Sequence, residues 1–398
     1  MIAIRKRKGI YVLLIMLVFL FFSSSHHELT NAGQRIWHIS GSQSILCLAI
    51  LSCTFLFTLF FMDLRGDIIL VLLVIRVLIM FPTIIICKDQ AWGNYLFYYI
   101  AIVSYLVCRT MRLTLNDLYP YIKLSLVIMM VQSFYLFISS PVSYSDSLYK
   151  YFFVAPMGAS NAFATKLAPI ALFVIMKERN AREKLFWTVL SFLSLFCTKS
   201  RTALFTFIVV GAIYFLKDHK ITKKSFFTIL TIVIATLLLF MLIRRDITNY
   251  LKAFFYGFSD LNSSNIDFDK IFSGRFSMLK EDIICILNHP IAGNGFAYTN
   301  ARASVHNIVL ELLFVGGAAE LFVNCLCVVK IQTVAKKFSG NRNDIIILYR
   351  ILVFIVMEAM FEKVLLTMAT DFLFWTFAGC LVSESEQTNE QIDEVKCE

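Results

Sequence analysis

The chain has 398 residues, 59% hydrophobic and only 16% charged, with a mean hydropathy of +0.74. Soluble domains run at about 45–50% apolar and about 25% charged, so this composition excludes an ordinary soluble enzyme and a disordered chain. The net charge of +10 does not point to nucleic acid, because the Lys and Arg are scattered between apolar runs rather than gathered in a basic domain.

Apolar runs occur at about residues 9–25, 43–62, 66–87, 92–108, 120–140, 157–176, 184–198, 201–216, 225–243, 304–329, 345–361 and 364–382. They are continuous rather than alternating. In hydrocarbon a helix then satisfies the backbone hydrogen bonds. The expected fold is all-α, a polytopic bundle of about 12 transmembrane helices, nine within residues 1–243 and three within 304–382. The first run follows Arg5-Lys6-Arg7-Lys8 and is read as an uncleaved span rather than a secretory signal. Lys199-Ser200-Arg201 makes a tight turn between two short runs. Lys and Arg favour the segments on the side of the N-terminus, which puts both termini in the cytoplasm. Residues 244–303 then form one long extracytoplasmic loop, and residues 383–398 an acidic, solvated cytoplasmic tail.

The ten cysteines fall mostly within spans, so no disulfide framework is expected. P-loop, GxGxxG, GxSxG, HExxH and CxxC patterns are absent, which disfavours a hydrolysing pump and a metalloprotease. Asp260, Asp267, Asp269, Glu281 and Asp282 read as solvated rather than metal-binding, and no cofactor is implied. Charges inside spans are functional candidates by default. Arg76 and Lys166 qualify, and Arg350, Glu358 and Asp371 read as a structural network. Lys166 follows Gly158-Ala159-Ser160-Asn161-Ala162-Phe163-Ala164, a small, polar start to a span that either packs closely or lines a cavity.

Three clusters fall on the extracytoplasmic side. Thr198-Lys199-Ser200-Arg201-Thr202 puts two cations and hydroxyls at one turn, an anion clamp or an interfacial anchor. From Arg275, the residues Phe276, Met278, Leu279, Ile283, Ile286 and Leu287 follow a helical period. They predict an amphipathic helix along the membrane surface, ending at His289-Pro290-Ile291-Ala292-Gly293-Asn294-Gly295-Phe296. Arg302-Ala303-Ser304-Val305-His306-Asn307 leads into the tenth run, where His306 is either a general base or an interfacial histidine.

These clusters, in this order, resemble the O-antigen polymerase and ligase superfamily of bacterial envelope glycan assembly. The Ser200-Arg201 turn is similar to the family's Ser-Arg turn. Arg275 with Pro290-Ile291-Ala292-Gly293-Asn294-Gly295 is similar to its Arg…Pro-hydrophobic-x-G-x-G loop. His306-Asn307-x-x-Leu310-x-x-Leu313-x-x-x-Gly317 is similar to its span start. One position departs: Glu320 stands where members often carry a second glycine.

The resemblance implies a metal-independent, GT-C-like membrane glycosyltransferase in the bacterial inner membrane, its site facing the periplasm. The donor would be an undecaprenyl-diphosphate-linked oligosaccharide, and the partners the lipid bilayer, a chain-length regulator and the pathway's flippase. His306, Arg201 and Arg275 are then the expected catalytic residues. Asn307, Ser200, Lys199, Arg302, Arg244, Arg245, Lys166 and Asn161 are the expected substrate-binding residues. Polymerase is the expected activity, with O-antigen ligase as the alternative and a lipid-linked oligosaccharide flippase as a rival of another class.

Overall fold

A computed structural model describes residues 26–29, 35–38, parts of 49–58, 67–86, 95–139, 160–198, 200–218, 275–296, 306–338, 343–362, 365–366 and 368–397. The first and ninth predicted spans lie outside these residues. The described parts of 49–58 are helical, and ten further helices are present among the described residues: α1 (Ile68–Ile86), α2 (Leu96–Thr110), α3 (Leu115–Ser139), α4 (Ser160–Lys177), α5 (Ala181–Cys197), α6 (Arg201–Asp218), α7 (Arg275–Asn288), α8 (Ile308–Phe338), α9 (Asn343–Ala359) and α10 (Met368–Cys397). All but α7 coincide with predicted apolar runs. The described secondary structure is helical, as expected, apart from one short element. A two-stranded antiparallel hairpin, β1 (His26–Leu29) and β2 (Arg35–His38), pairs His26 with His38 and Leu29 with Arg35.

Two of the described helices, α1 and α8, are long and apolar enough to cross a membrane. The outward face of α1 is a stripe of exposed Val71, Val74, Leu78, Phe81 and Ile85. On a soluble protein such a stripe would be a large unprotected patch. Against lipid it is the ordinary exterior of a span.

The chain divides into two compact units. One is built on α1, α2, most of α7, α8, α9 and α10. Small residues bring its helices close: a Cβ at Gly379 would lie 2.6 Å from the Tyr105 carbonyl oxygen and 2.8 Å from the Cys108 Cβ, so α10 meets α2 at backbone distance. The other unit contains the rest of α3 together with α4, α5 and α6. There Asn180 caps α5 by accepting from the Arg182 amide at 3.0 Å, and the Ser133 hydroxyl donates to the Ser194 carbonyl at 3.0 Å.

The acidic tail is not the solvated end expected. Residues 383–397 continue α10, and Ser383, Glu384, Ser385 and Thr388 are buried. Glu384 accepts from the Leu115 amide, Glu386 pairs with Arg109 at 2.8 Å, and Glu390 pairs with Arg112 at 2.7 Å. Arg109 also meets buried Asp67 at 2.7 Å, which accepts from the Tyr105 hydroxyl at 3.0 Å. The last turn of α2 recruits the tail, because the largely buried Arg109 needs counter-charges.

Candidate functional site

The helix predicted after Arg275 forms, and Arg275 is its first residue. Its setting differs from a simple surface helix. Cys285 and Ile286 pack against Met80, Tyr98, Phe296, Leu312, Phe314 and Val315, and Asp282 is buried. Ile283, Ile284 and Leu287 remain exposed. The Pro/Gly segment that follows does not simply turn away. It enters a break in α8.

That break is at Gly317, whose φ of 68° and ψ of −165° interrupt the helix. The carbonyls just before it lose their partners in the next turn, and the loop supplies replacements. Asn294 N donates to the Phe314 carbonyl at 2.7 Å, and Gly295 N to the Val315 carbonyl at 3.0 Å. In return Ala318 N donates to the Pro290 carbonyl at 2.8 Å. The Asn294 amide adds bonds to the Cys285 and Phe314 carbonyls, and the Thr83 hydroxyl holds the Ala292 carbonyl at 2.6 Å. Irregular backbone inside a membrane protein survives where protein pairs its polar groups. Gly293 and Gly317 are both at positive φ. A Cβ on either would lie 2.4 Å and 2.1 Å, respectively, from the facing carbonyl oxygens of Val315 and Ile291. The two glycine-bearing motifs are thus halves of one backbone splice.

His306 stands before α8 with φ of 56°, a conformation that costs a non-glycine residue about 1–3 kcal/mol. Its side chain is one-third exposed, and Nδ1 lies 2.6 Å from Oε1 of buried Glu362. Asn307 holds the strained turn. Its Oδ1 accepts from the amides of Val309 (3.0 Å) and Leu310 (3.2 Å), capping α8. Its Nδ2 donates to the Met360 carbonyl at 2.9 Å, tying that cap to the turn that carries Glu362. Asn307, expected to bind substrate, is thus engaged at both ends of its amide by backbone. A carboxylate that orients a histidine at one ring nitrogen leaves the other for proton transfer.

Glu362 was not among the expected residues. The signal was the Glu358…Glu362 spacing of four, which puts both carboxylates on one helical face at the end of a span. Glu358 is fully buried, and neither of its carboxyl oxygens has a hydrogen-bond partner among the described residues. Among the described residues, the network expected of Arg350, Glu358 and Asp371 therefore includes no hydrogen bond to Glu358.

In the other unit, Thr198 closes α5 and Arg201 opens α6, so the predicted tight turn is present. Buried Ser200 occupies the capping position: its carbonyl accepts from Leu204 N and its own amide donates to the Thr198 hydroxyl. Arg201 is half-buried at that helix N-terminus, where partial positive charge favours an anion. Lys166 is buried in α4 and Asn161 half-buried in its first turn. Lys199, Arg244, Arg245 and Arg302 lie outside the described residues. Among the described residues, no three His, Cys, Asp or Glu gather as a metal site.

The described helices, two of them long and apolar enough to cross a membrane, are compatible with a helical membrane protein. Residues 186–319 match the family model described as O-antigen ligase, which supports the O-antigen ligase and polymerase superfamily. It also supports a glycosyl-transfer enzyme and a membrane location. No curated protein matches the chain. The matched third of the chain runs from α5 into α8. It includes Ser200-Arg201, Arg275, the docked loop, His306 and Gly317, and leaves out Glu362.

Proposed function

We propose that the protein is a polymerase of surface polysaccharide. It joins undecaprenyl-diphosphate-linked repeat units at the outer face of the bacterial inner membrane, in a GT-C-like bundle of about 12 spans with both termini cytoplasmic. The observation that carries this reading is the 2.6 Å contact of His306 with Glu362 at the capped start of α8. His306 Nε2 takes the proton of an acceptor sugar hydroxyl. The hydroxyl oxygen attacks C1 of the donor glycan, and the C1–O bond to the diphosphate breaks, inverting the anomeric centre. Arg201 and Arg275 bind the departing diphosphate, with Lys199, Ser200, Arg244, Arg245, Arg302, Lys166 and Asn161 as further contacts. Preorganised cations stabilise that charge strongly in a water-poor site. Glu362 fixes the ring of His306, and Asn307 fixes the backbone beneath it. A chain-length regulator and a flippase are the expected pathway partners.

The second reading is an O-antigen ligase, favoured by the description of the matching family. The chemistry is the same and the acceptor differs. The test is the surface glycan ladder of a deletion strain carrying wild type, His306→Ala, Arg201→Ala or Arg275→Ala at matched protein levels. Core bearing a single repeat unit in the variants supports the polymerase. Bare core with long glycan held on the lipid carrier establishes the ligase. A normal ladder in all three variants overturns both and favours the flippase.

A further inference from the structure

Arg76 lies near the middle of α1 and is almost fully buried, a costly position for a cation in a span. Its partner is Glu320, with Nε at 3.0 Å and Nη2 at 2.9 Å from Oε1. Asn324 Nδ2 donates to that same oxygen at 3.0 Å and to the Glu320 carbonyl at 2.9 Å. The guanidinium sits 5.0 Å from the Tyr98 ring centre and 5.9 Å from that of Trp375, so α2 and α10 flank it. Glu320 reaches Arg76 by crossing Gly316. A Cβ there would fall 2.5 Å from the Glu320 Cβ and 2.9 Å from the Met80 sulfur. Glu320 stands three residues beyond the break at Gly317.

We propose that Arg76 and Glu320 are a latch. The pair clamps the half of α8 beyond the break to α1, and so keeps the break closed on the docked loop. Thr83, two helical turns further along α1, holds the other side of the loop through Ala292. His306 immediately precedes the half of α8 that lies before the break. Arg76 and Glu320 are therefore positioning residues for that histidine, a role that rests on reading His306 as the base. The latch itself does not depend on that reading. The buried carboxylate on α8 meets its matching cation on the facing helix α1.

The test uses the full chain purified in detergent, with Arg76→Met, Glu320→Leu and the double variant. Hydrogen exchange is followed at the amides of Asn294, Gly295 and Ala318, the three bonds of the splice. Breaking a buried pair from one side leaves an uncompensated charge, whereas removing both partners does not. Exchange at these amides is expected to rise by roughly tenfold or more in each single variant. It is expected to return to within a few-fold of wild type in the double variant, while the Leu115 amide held by Glu384 is unchanged throughout. If a single variant does not fold, Glu320→Gln takes its place, keeping shape while removing the charge. Unchanged exchange in folded single variants, or a double variant as labile as the singles, overturns the latch. The surface glycan ladder of the same strains tests the link to His306. Shortened ladders in the singles and recovery in the double support positioning. A normal ladder with accelerated exchange overturns that link alone.

Discussion

At the scale of single residues, the arrangement turns on a histidine held in an unfavourable backbone conformation. The strain at His306 is opposed by the bonds of Asn307 to two amides and to the Met360 carbonyl. Asn307→Ala is therefore expected to lose a cap worth about 1 kcal/mol and the tie to Glu362's turn as well. A lowered thermal midpoint with weakened activity would register both. His306→Ala is expected to reduce transfer about 10²–10⁴-fold in an assay of purified protein with lipid-linked donor. Glu362→Gln keeps the shape and removes the charge, and its loss is expected to be smaller, in kcat rather than in KM. Equal rates for Glu362→Gln and wild type would remove Glu362 from the mechanism. His306 and Asn307 were legible because they are adjacent and open a span. Glu362 was not, because its link to His306 crosses from one helix end to another, and a single sequence carries no record of that contact.

At the scale of elements, α8 is two half-helices joined by a loop from elsewhere in the chain. Its sequence reads as one apolar run, and the Gly316-Gly317 pair is the local hint of a break within it. The neighbouring glycines in Gly293-Asn294-Gly295 signalled a turn, but not that its amides would complete another helix. Gly293→Ala and Gly317→Ala are each expected to lower stability by more than the roughly 1–2 kcal/mol of a left-handed alanine, because the new Cβ also strikes a carbonyl. Gly211, in α6, has open space around its Cβ position. Gly211→Ala should be neutral or stabilising by about 0.5–1 kcal/mol. Thermal melts of the three purified variants would separate these outcomes, and equal effects would contradict the splice. Arg76 and Glu320 were each visible as anomalies in the sequence, one a charge in a span and the other a departure from a motif. Their pairing resolves both.

At the scale of the whole molecule, the C-terminal helix closes the unit that contains His306. Removing residues 383–398 would delete Glu386, one of the partners of Arg109, and Glu390, the partner of Arg112, and would leave Leu115 N without its Glu384 acceptor. The truncated chain is expected to melt at lower temperature and accumulate poorly in membranes. Glu390→Ala alone should shift stability by no more than about 1 kcal/mol, since that pair is more than half exposed. A truncation as stable as wild type would return the tail to a solvated role. For topology, in a chain whose native cysteines are replaced by serine, a cysteine at position 340 should react with a membrane-impermeant thiol reagent only after permeabilisation, and one within 244–303 should react in intact cells. The reverse pattern would overturn the proposed orientation.

The sequence by itself determined the membrane class, the placement of most helices, the turn at Ser200-Arg201 and the helix that starts at Arg275. These follow from composition and local periodicity, which one segment carries alone. It also marked the motifs that the family match later covered. Only the tertiary structure decided how they act together. The break in α8, the loop spliced into it, the Arg76–Glu320 latch, the Glu362 carboxylate behind His306 and the packed tail all join residues distant in the chain. Each exists because a buried polar group must find a partner, and the fold, not the local sequence, decides which one is within reach.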